Sequence, residues 1–219
     1  MRLKILREQV LEANLELVRR GLVLYTFGNA SGVDRQQGLI VIKPSGVDYD
    51  DLRPEHMVVV DMEGRRVCES RNVTSEIGMH LAIYRQRPDV QAVVHAHPPI
   101  ATGFASCGLA LEEPLCSEIV MALGSIPLAP YATTGTNDVA SSIQPLIVDH
   151  DAVLLANHGV VTAGGTLQDA FMRMETVEHF AHICLVARQL GCPRPLSPDH
   201  LQQLAEARSR YERNASPGR

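Results

Sequence analysis

The chemistry in this chain is concentrated in three histidines and one glutamate. In VVHAHPPI, residues 93–100, His95 and His97 stand one residue apart at the end of an apolar run. If 91–97 is a strand, side chains alternate with period two, so both imidazoles point to one face and Ala96 to the other. Two imidazoles on one face of an apolar layer need partners. These are either hydrogen bonds at the strand end or a divalent metal held by neutral ring nitrogens. LANHG, 155–159, offers a third donor: His158 follows a strand-like run and is carried to a rim by the turn behind it. Alone, His158 reads equally as a turn residue bonded to backbone. Three imidazoles would leave a fourth zinc position open to water or substrate, as catalytic sites do. Glu76 follows Ser75, which the pattern makes the N-cap of a helix. The helix dipole alone favours a carboxylate there; facing the histidines, it could ligate the metal at rest and carry a proton when substrate arrives.

Three turns could hold an anion beside that cluster: TFGN at 26–29, KPSG at 43–46 and TSE at 74–76. Backbone N–H groups in glycine turns and at a helix start, with Asn and Ser side chains near, suit a phosphate monoester. The candidates are Gly28, Asn29, Lys43, Ser45, Gly46, Thr74 and Ser75. Each turn alone is also just a turn, and a lone lysine is ordinarily solvated.

These residues need a scaffold, and the spacing of apolar residues predicts one. Leu3, Leu6, Val10, Ala13 and Leu17 recur at helical spacing before Gly21, giving a helix over 3–20. Strands are expected at 39–46, at 56–65 with a Glu-Gly hairpin turn, at 91–97, near 125–131 and at 152–159. Helices are expected from Ser75 to before Pro88, from Pro98-Pro99, from Thr136, from Thr166 to Gly191 and from Ser197-Pro198. Alternating strands and helices with short polar connections indicate one layered α/β domain over 1–212, with 213–219 a disordered tail.

A net charge of −5 and a pI near 6.0 argue against a general nucleic-acid or anionic-membrane binder. Cys68, Cys107, Cys116, Cys184 and Cys192 are odd in number with no CxxC pair, which points to reduced thiols in a cytoplasm. The charged start MRLKILREQV does not read as a signal peptide, and no apolar run approaches a membrane span.

Taken in order, GNASG at 28–32, IKPSGVDYD at 42–50, TSE at 74–76, VVHAHP at 93–98, SIPLAPYATTGT at 125–136 and LLANHG at 154–159 resemble the zinc-dependent class II aldolase and epimerase superfamily. That superfamily contains fuculose-1-phosphate aldolase and ribulose-5-phosphate 4-epimerase. The resemblance implies a three-layer α/β/α domain with a central, largely antiparallel sheet. It implies a cyclic homotetramer with active sites at subunit interfaces, and Zn2+, or Mn2+ or Co2+, on His95, His97 and His158. Glu76 would be the catalytic carboxylate, with Thr74 standing where a serine is common, and Gly28, Asn29, Ser45 and Gly46 would hold the substrate phosphate. Tyr211 fits a C-terminal tyrosine that closes over the site in the aldolases. Their second tyrosine has no counterpart here; LCSEIVMALGSIP offers Glu118 as a proton carrier instead.

The leading expectation is an aldolase that cleaves a ketose 1-phosphate to dihydroxyacetone phosphate and an aldehyde through an enediolate. Glu76 favours it, because the epimerase has an aspartate at that place. The alternatives are a pentulose-5-phosphate 4-epimerase, a related sugar-acid-phosphate decarboxylase or dehydratase, and a non-catalytic scaffold like the adducin head. Retention of all three histidines and Glu76 argues against the scaffold.

Overall fold

The computed structural model describes residues 2–67 and 71–215, the backbone alone from 208 onward. The elements run α1 (Lys4–Arg19), β1 (Asn29–Asp34), β2 (Leu39–Ile42), β3 (Val58–Asp61), α2 (Ile77–Gln86), β4 (Ala92–Ala96), α3 (Pro99–Ser106) and α4 (Ser117–Ala122). They continue with β5 (Leu128–Ala129), α5 (Asn137–Ile147), β6 (Ala152–Leu155), β7 (Gly159–Gly164), α6 (Leu167–Leu190) and α7 (Pro198–Ala215). The strands form one sheet in the order β3-β2-β1-β4-β7-β6-β5, antiparallel at every pairing except β5 with β6.

Strand alternation divides the interior in two. Leu39 and Val41 of β2 enter one apolar cluster, with Val94 of β4 and Val160 of β7, under α1, α3 and α6. Ile40 and Ile42, with Val93 and Val161, enter the other, under α2 and α5. Both faces of the sheet are therefore covered, and the domain is a three-layer α/β/α sandwich in which β2 and β6 read as continuous apolar runs. His95 shares the α2 face with Val93, because it lies two residues further along β4.

The helix stops and starts follow local chemistry. The Thr136 hydroxyl accepts the Asp138 N–H and caps α5; the Thr166 hydroxyl accepts the Asp169 N–H and caps α6. Pro98 precedes α3 and Pro99 opens it, where a missing N–H costs nothing. Within α6, Ala170, Met174, Val177, Ala181 and Cys184 recur every three or four residues and are buried.

Three expectations need correction. Ser75 is not the cap of α2: the cap position is Glu76, whose side chain makes no capping bond, and the helix starts at Ile77. Glu76 is turned away from the helix end toward the histidines, so a residue there cannot serve both. β1 and β7 are strands that the apolar pattern did not announce. In β1, the inward positions Asn29 and Ser31 are polar, and Gly32 has no side chain because Leu6 of α1 crosses there: an added Cβ would lie 2.8 Å from Leu6 Cδ1. In β7, GVVTAG opens on the glycine that ends the NHG turn and so reads as part of that turn. The strand near 125–131 is reduced to Leu128–Ala129.

Cys107, Cys116, Cys184 and Cys192 are free, and Cys68 lies outside the described residues, as do 216–219. Among the described residues no helix is long and apolar enough to cross a membrane.

Candidate metal and substrate site

The three histidines converge at one end of the sheet. β4 lies between β1 and β7, with His95 opposite Asn29 on one side and Val161 on the other. His95 is fully buried, and its Nδ1 donates to the Val160 carbonyl at 2.9 Å, which leaves the Nε2 lone pair facing outward. His97 continues the strand direction by one pleat, and its Nε2 lies 3.0 Å from His95 Nε2. His158 sits in the β6–β7 turn, behind Asn157 in the left-handed region at φ 56°. A ligating nitrogen from each ring falls within 4.8 Å of the others.

Glu76 closes the cluster. Its Oε1 lies 3.2 Å from His95 Nε2 and 3.1 Å from His158 Nε2. Zinc–nitrogen bonds of about 2.0–2.1 Å in a tetrahedron would set donors about 3.3 Å apart. The observed separations of 3.0, 3.1 and 3.2 Å therefore suit a small divalent cation with little movement. Burial, together with His95 and His158 beside it, pushes His97 down to about 3, so it is held as a neutral donor. Burial alone would raise Glu76, but His95 and His158 outweigh it and hold the carboxyl well below the usual range. The donor set is thus imidazole nitrogen plus carboxylate oxygen, the set a divalent metal takes.

Two glycines make the convergence possible. A Cβ on Gly159 would stand 2.5 Å from both the Ala96 carbonyl oxygen and His97 Cδ2, so only glycine lets the NHG turn press against the His97 ring. Gly28, at φ 71°, would meet Val23 Cγ1 at 2.5 Å and the His95 carbonyl at 2.9 Å. Its absent side chain brings Asn29 alongside His95.

A pocket of about 380 Å³ opens over the cluster. Glu76, His97 and His158 line it, together with Gly28, Asn29, Lys43, Ser45, Gly46, Thr74 and Ser75. Every candidate phosphate residue is therefore on its wall. Lys43 is not a solvated lysine: it is 2% exposed, its Nζ donates to the Thr26 carbonyl at 2.8 Å, and it lies 4.5 Å over the Tyr49 ring. Burial pushes its amine down to about 8, against the pull of Glu76 and Asp48, so the group is mostly cationic at neutral pH. Grooves of about 670 and 660 Å³ flank α1, but no imidazole lines either.

Glu118 is exposed on α4 and does not line the pocket. The backbone of Tyr211 belongs to α7, while its side chain lies outside the described residues. Thr26, Phe27 and Pro44, which lie in the turns singled out but were not named as candidates, also line the pocket, as does Thr134. Phe27 is 54% exposed with its ring 5.8 Å from that of His97, and Thr134 stands on the loop before α5. Tyr49 was missed as well; its hydroxyl donates to the Phe27 carbonyl at 2.7 Å and lies 3.2 Å from that of Gly28, bracing the 26–29 turn. Only the motif SIPLAPYATTGT pointed toward Thr134, and Phe27 was marked only as part of the TFGN turn.

Fold and site together define a three-layer α/β protein with a metal-competent histidine cluster at a sheet end, beside a glycine-turn pocket suited to an anion. The chain belongs to the class II aldolase and adducin N-terminal domain family, whose model matches residues 8–185. A 5-deoxy-D-ribulose 1-phosphate aldolase of Bacillus thuringiensis serovar kurstaki is 36% identical over 201 residues, 91% of this chain and 93% of that protein. An L-ribulose-5-phosphate 4-epimerase of Salmonella paratyphi B is 33% identical over 199 residues, 85% of this chain and 86% of that protein. Among solved structures, an L-fuculose 1-phosphate aldolase superposes with a TM-score of 0.88 at 33% identity, covering 94% of this chain and 97% of that one.

Proposed function

We propose that the protein is a metal-dependent aldolase that cleaves a ketose 1-phosphate to dihydroxyacetone phosphate and an aldehyde. One observation carries this reading. Glu76 Oε1 lies 3.1–3.2 Å from two imidazole nitrogens, on the wall of a pocket that also holds the glycine turns and Lys43. A carboxylate for proton transfer, a cation site and an anion site thus share one small space.

His95, His97 and His158 would hold the metal, zinc or else manganese or cobalt. Bound there, it supplies a Lewis acid that stabilises negative charge on the two oxygens of an enediolate. The rest falls to the chain. Gly28, Asn29, Ser45, Gly46, Thr74 and Ser75 receive the phosphate through backbone N–H groups and short polar side chains, and Lys43 adds charge. Glu76 returns a proton to the enediolate carbon after the C3–C4 bond breaks. The C4 hydroxyl proton needs a second acceptor, and Glu118 and Tyr211 would supply it from a neighbouring subunit of a homotetramer. That arrangement fits the exposure of Glu118 on α4.

The 4-epimerase relative favours a second reading, a pentulose-5-phosphate 4-epimerase, since the same cleavage followed by rejoining inverts C4. A sugar-acid-phosphate decarboxylase or dehydratase would use the same enediolate. Incubation of the metal-loaded protein with a panel of ketose 1-phosphates and pentulose 5-phosphates separates them. The proposal expects dihydroxyacetone phosphate from a ketose 1-phosphate. Interconversion of pentulose phosphates without triose release would overturn it in favour of the epimerase.

A further inference from the structure

Five side chains behind the site form a single buried chain of hydrogen bonds. Glu76, His80 and Tyr84 recur every four residues at the start and along one face of α2; Asn29 and Ser31 are two apart on the facing side of β1. They interdigitate. Asn29 Nδ2 donates to Glu76 Oε2 at 2.7 Å; His80 Nε2 meets Asn29 Oδ1 at 2.6 Å; His80 Nδ1 meets Ser31 Oγ at 2.7 Å; Ser31 Oγ meets the Tyr84 hydroxyl at 2.7 Å. His80 and Tyr84 are fully buried, and neither is among the residues that line the pocket.

The direction of this chain follows from its donor count. The Glu76 carboxylate can only accept, so the Asn29 amide must present its N–H groups to it and its oxygen to His80. His80 must then carry its proton on Nε2. Burial, with His95 nearby, pushes His80 down to about 3, so the ring has one proton and Nδ1 is an acceptor. Ser31 spends its only proton on Nδ1, and Tyr84 donates to Ser31. If His80 were to lose the Nε2 donor, Asn29 Oδ1 would be left without that partner in the interior, and the amide that bonds Glu76 Oε2 would no longer be held from behind.

We infer that His80 is a positioning residue. Through Asn29 it fixes Glu76 Oε2, so that Oε1 faces His95 and His158. The inference rests on the proposed reaction for its kinetic arm and on the metal site alone for its other arm. An outer partner of this kind is typically worth about 10–100-fold in activity or metal affinity.

The test compares His80→Leu with His80→Gln, whose amide nitrogen reaches roughly the place of Nε2. His80→Leu is expected to lower kcat about 10–100-fold with KM within about twofold, and to weaken zinc about tenfold in competition with a chromophoric chelator. His80→Gln should recover most of both, although each variant loses thermal stability. Ser31→Ala should add little in the His80→Leu background, since the two act through one chain. Equal losses in both His80 variants would mark a merely structural role and overturn the inference, as would a change in KM alone or additive effects of Ser31→Ala. If the wild-type protein turns over none of the sugar phosphates, the proposed reaction fails by itself. The zinc competition then decides: weakening in His80→Leu with recovery in His80→Gln supports the inference, and equal affinity in all three proteins overturns it.

Discussion

Glu76→Gln is expected to lower kcat by about 10²–10⁴-fold, the range that a positioned general acid–base contributes, while the metal stays bound. The substitution keeps side-chain volume, and the Gln carbonyl still accepts the Asn29 amide that now bonds Glu76 Oε2 at 2.7 Å. What disappears is the ability to take and return a proton. His95, His97 and His158 remain as three imidazole donors, so metal content should hold near one per chain. The check is steady-state kinetics beside metal analysis on the same preparation. Full turnover in the variant would remove Glu76 from the mechanism, and loss of metal along with activity would make it chiefly a ligand.

His95→Ala is expected to empty the site. His95 is the fully buried member, and its tautomer is fixed by the Val160 carbonyl. Its Nε2 also lies 3.0 Å from His97 Nε2 and 3.2 Å from Glu76 Oε1. Catalytic zinc sites use three protein ligands, and removal of the central one leaves two side chains from separate segments. Metal analysis should fall from about one per chain to about a tenth of that or less, and aldol cleavage should become undetectable. The sheet should survive, because two apolar cores on its faces hold it. Undiminished metal in a folded His95→Ala protein would place the metal elsewhere.

Some of this site was visible in the chain as spacing. Period two aimed His95 and His97 to one side, and the glycine after His158 is the residue that the packing against His97 demands. Lys43 was harder, since a lysine in a polar turn reads as solvated; only the fold reveals that Tyr49 and the 26–29 turn enclose it. The strands β1 and β7 were hidden for a related reason. Their apolar signal is thinned where the backbone serves the site, by Asn29 and Ser31 in one and by Gly159 in the other. His80 carried a signal that spacing could have found: it lies four residues after Glu76, on the same helical face, and Ser31 lies two after Asn29. A histidine within an apolar helix reads as packing until the facing strand is known. Glu118 and Tyr211 carried no local signal beyond the resemblance, and a proposed role from a neighbouring subunit depends on surfaces that one sequence does not pair.

The most direct measurement of the central claim uses half of the reaction. Dihydroxyacetone phosphate alone, incubated with the metal-loaded protein in deuterium oxide, should take up one deuterium at its hydroxymethyl carbon, because Glu76 exchanges the proton there as the enediolate forms and collapses. The account predicts that mass shift in the wild type, its loss after chelation, and its absence in Glu76→Gln. Metal bound at one per chain with saturating triose phosphate and no deuterium incorporated would contradict it.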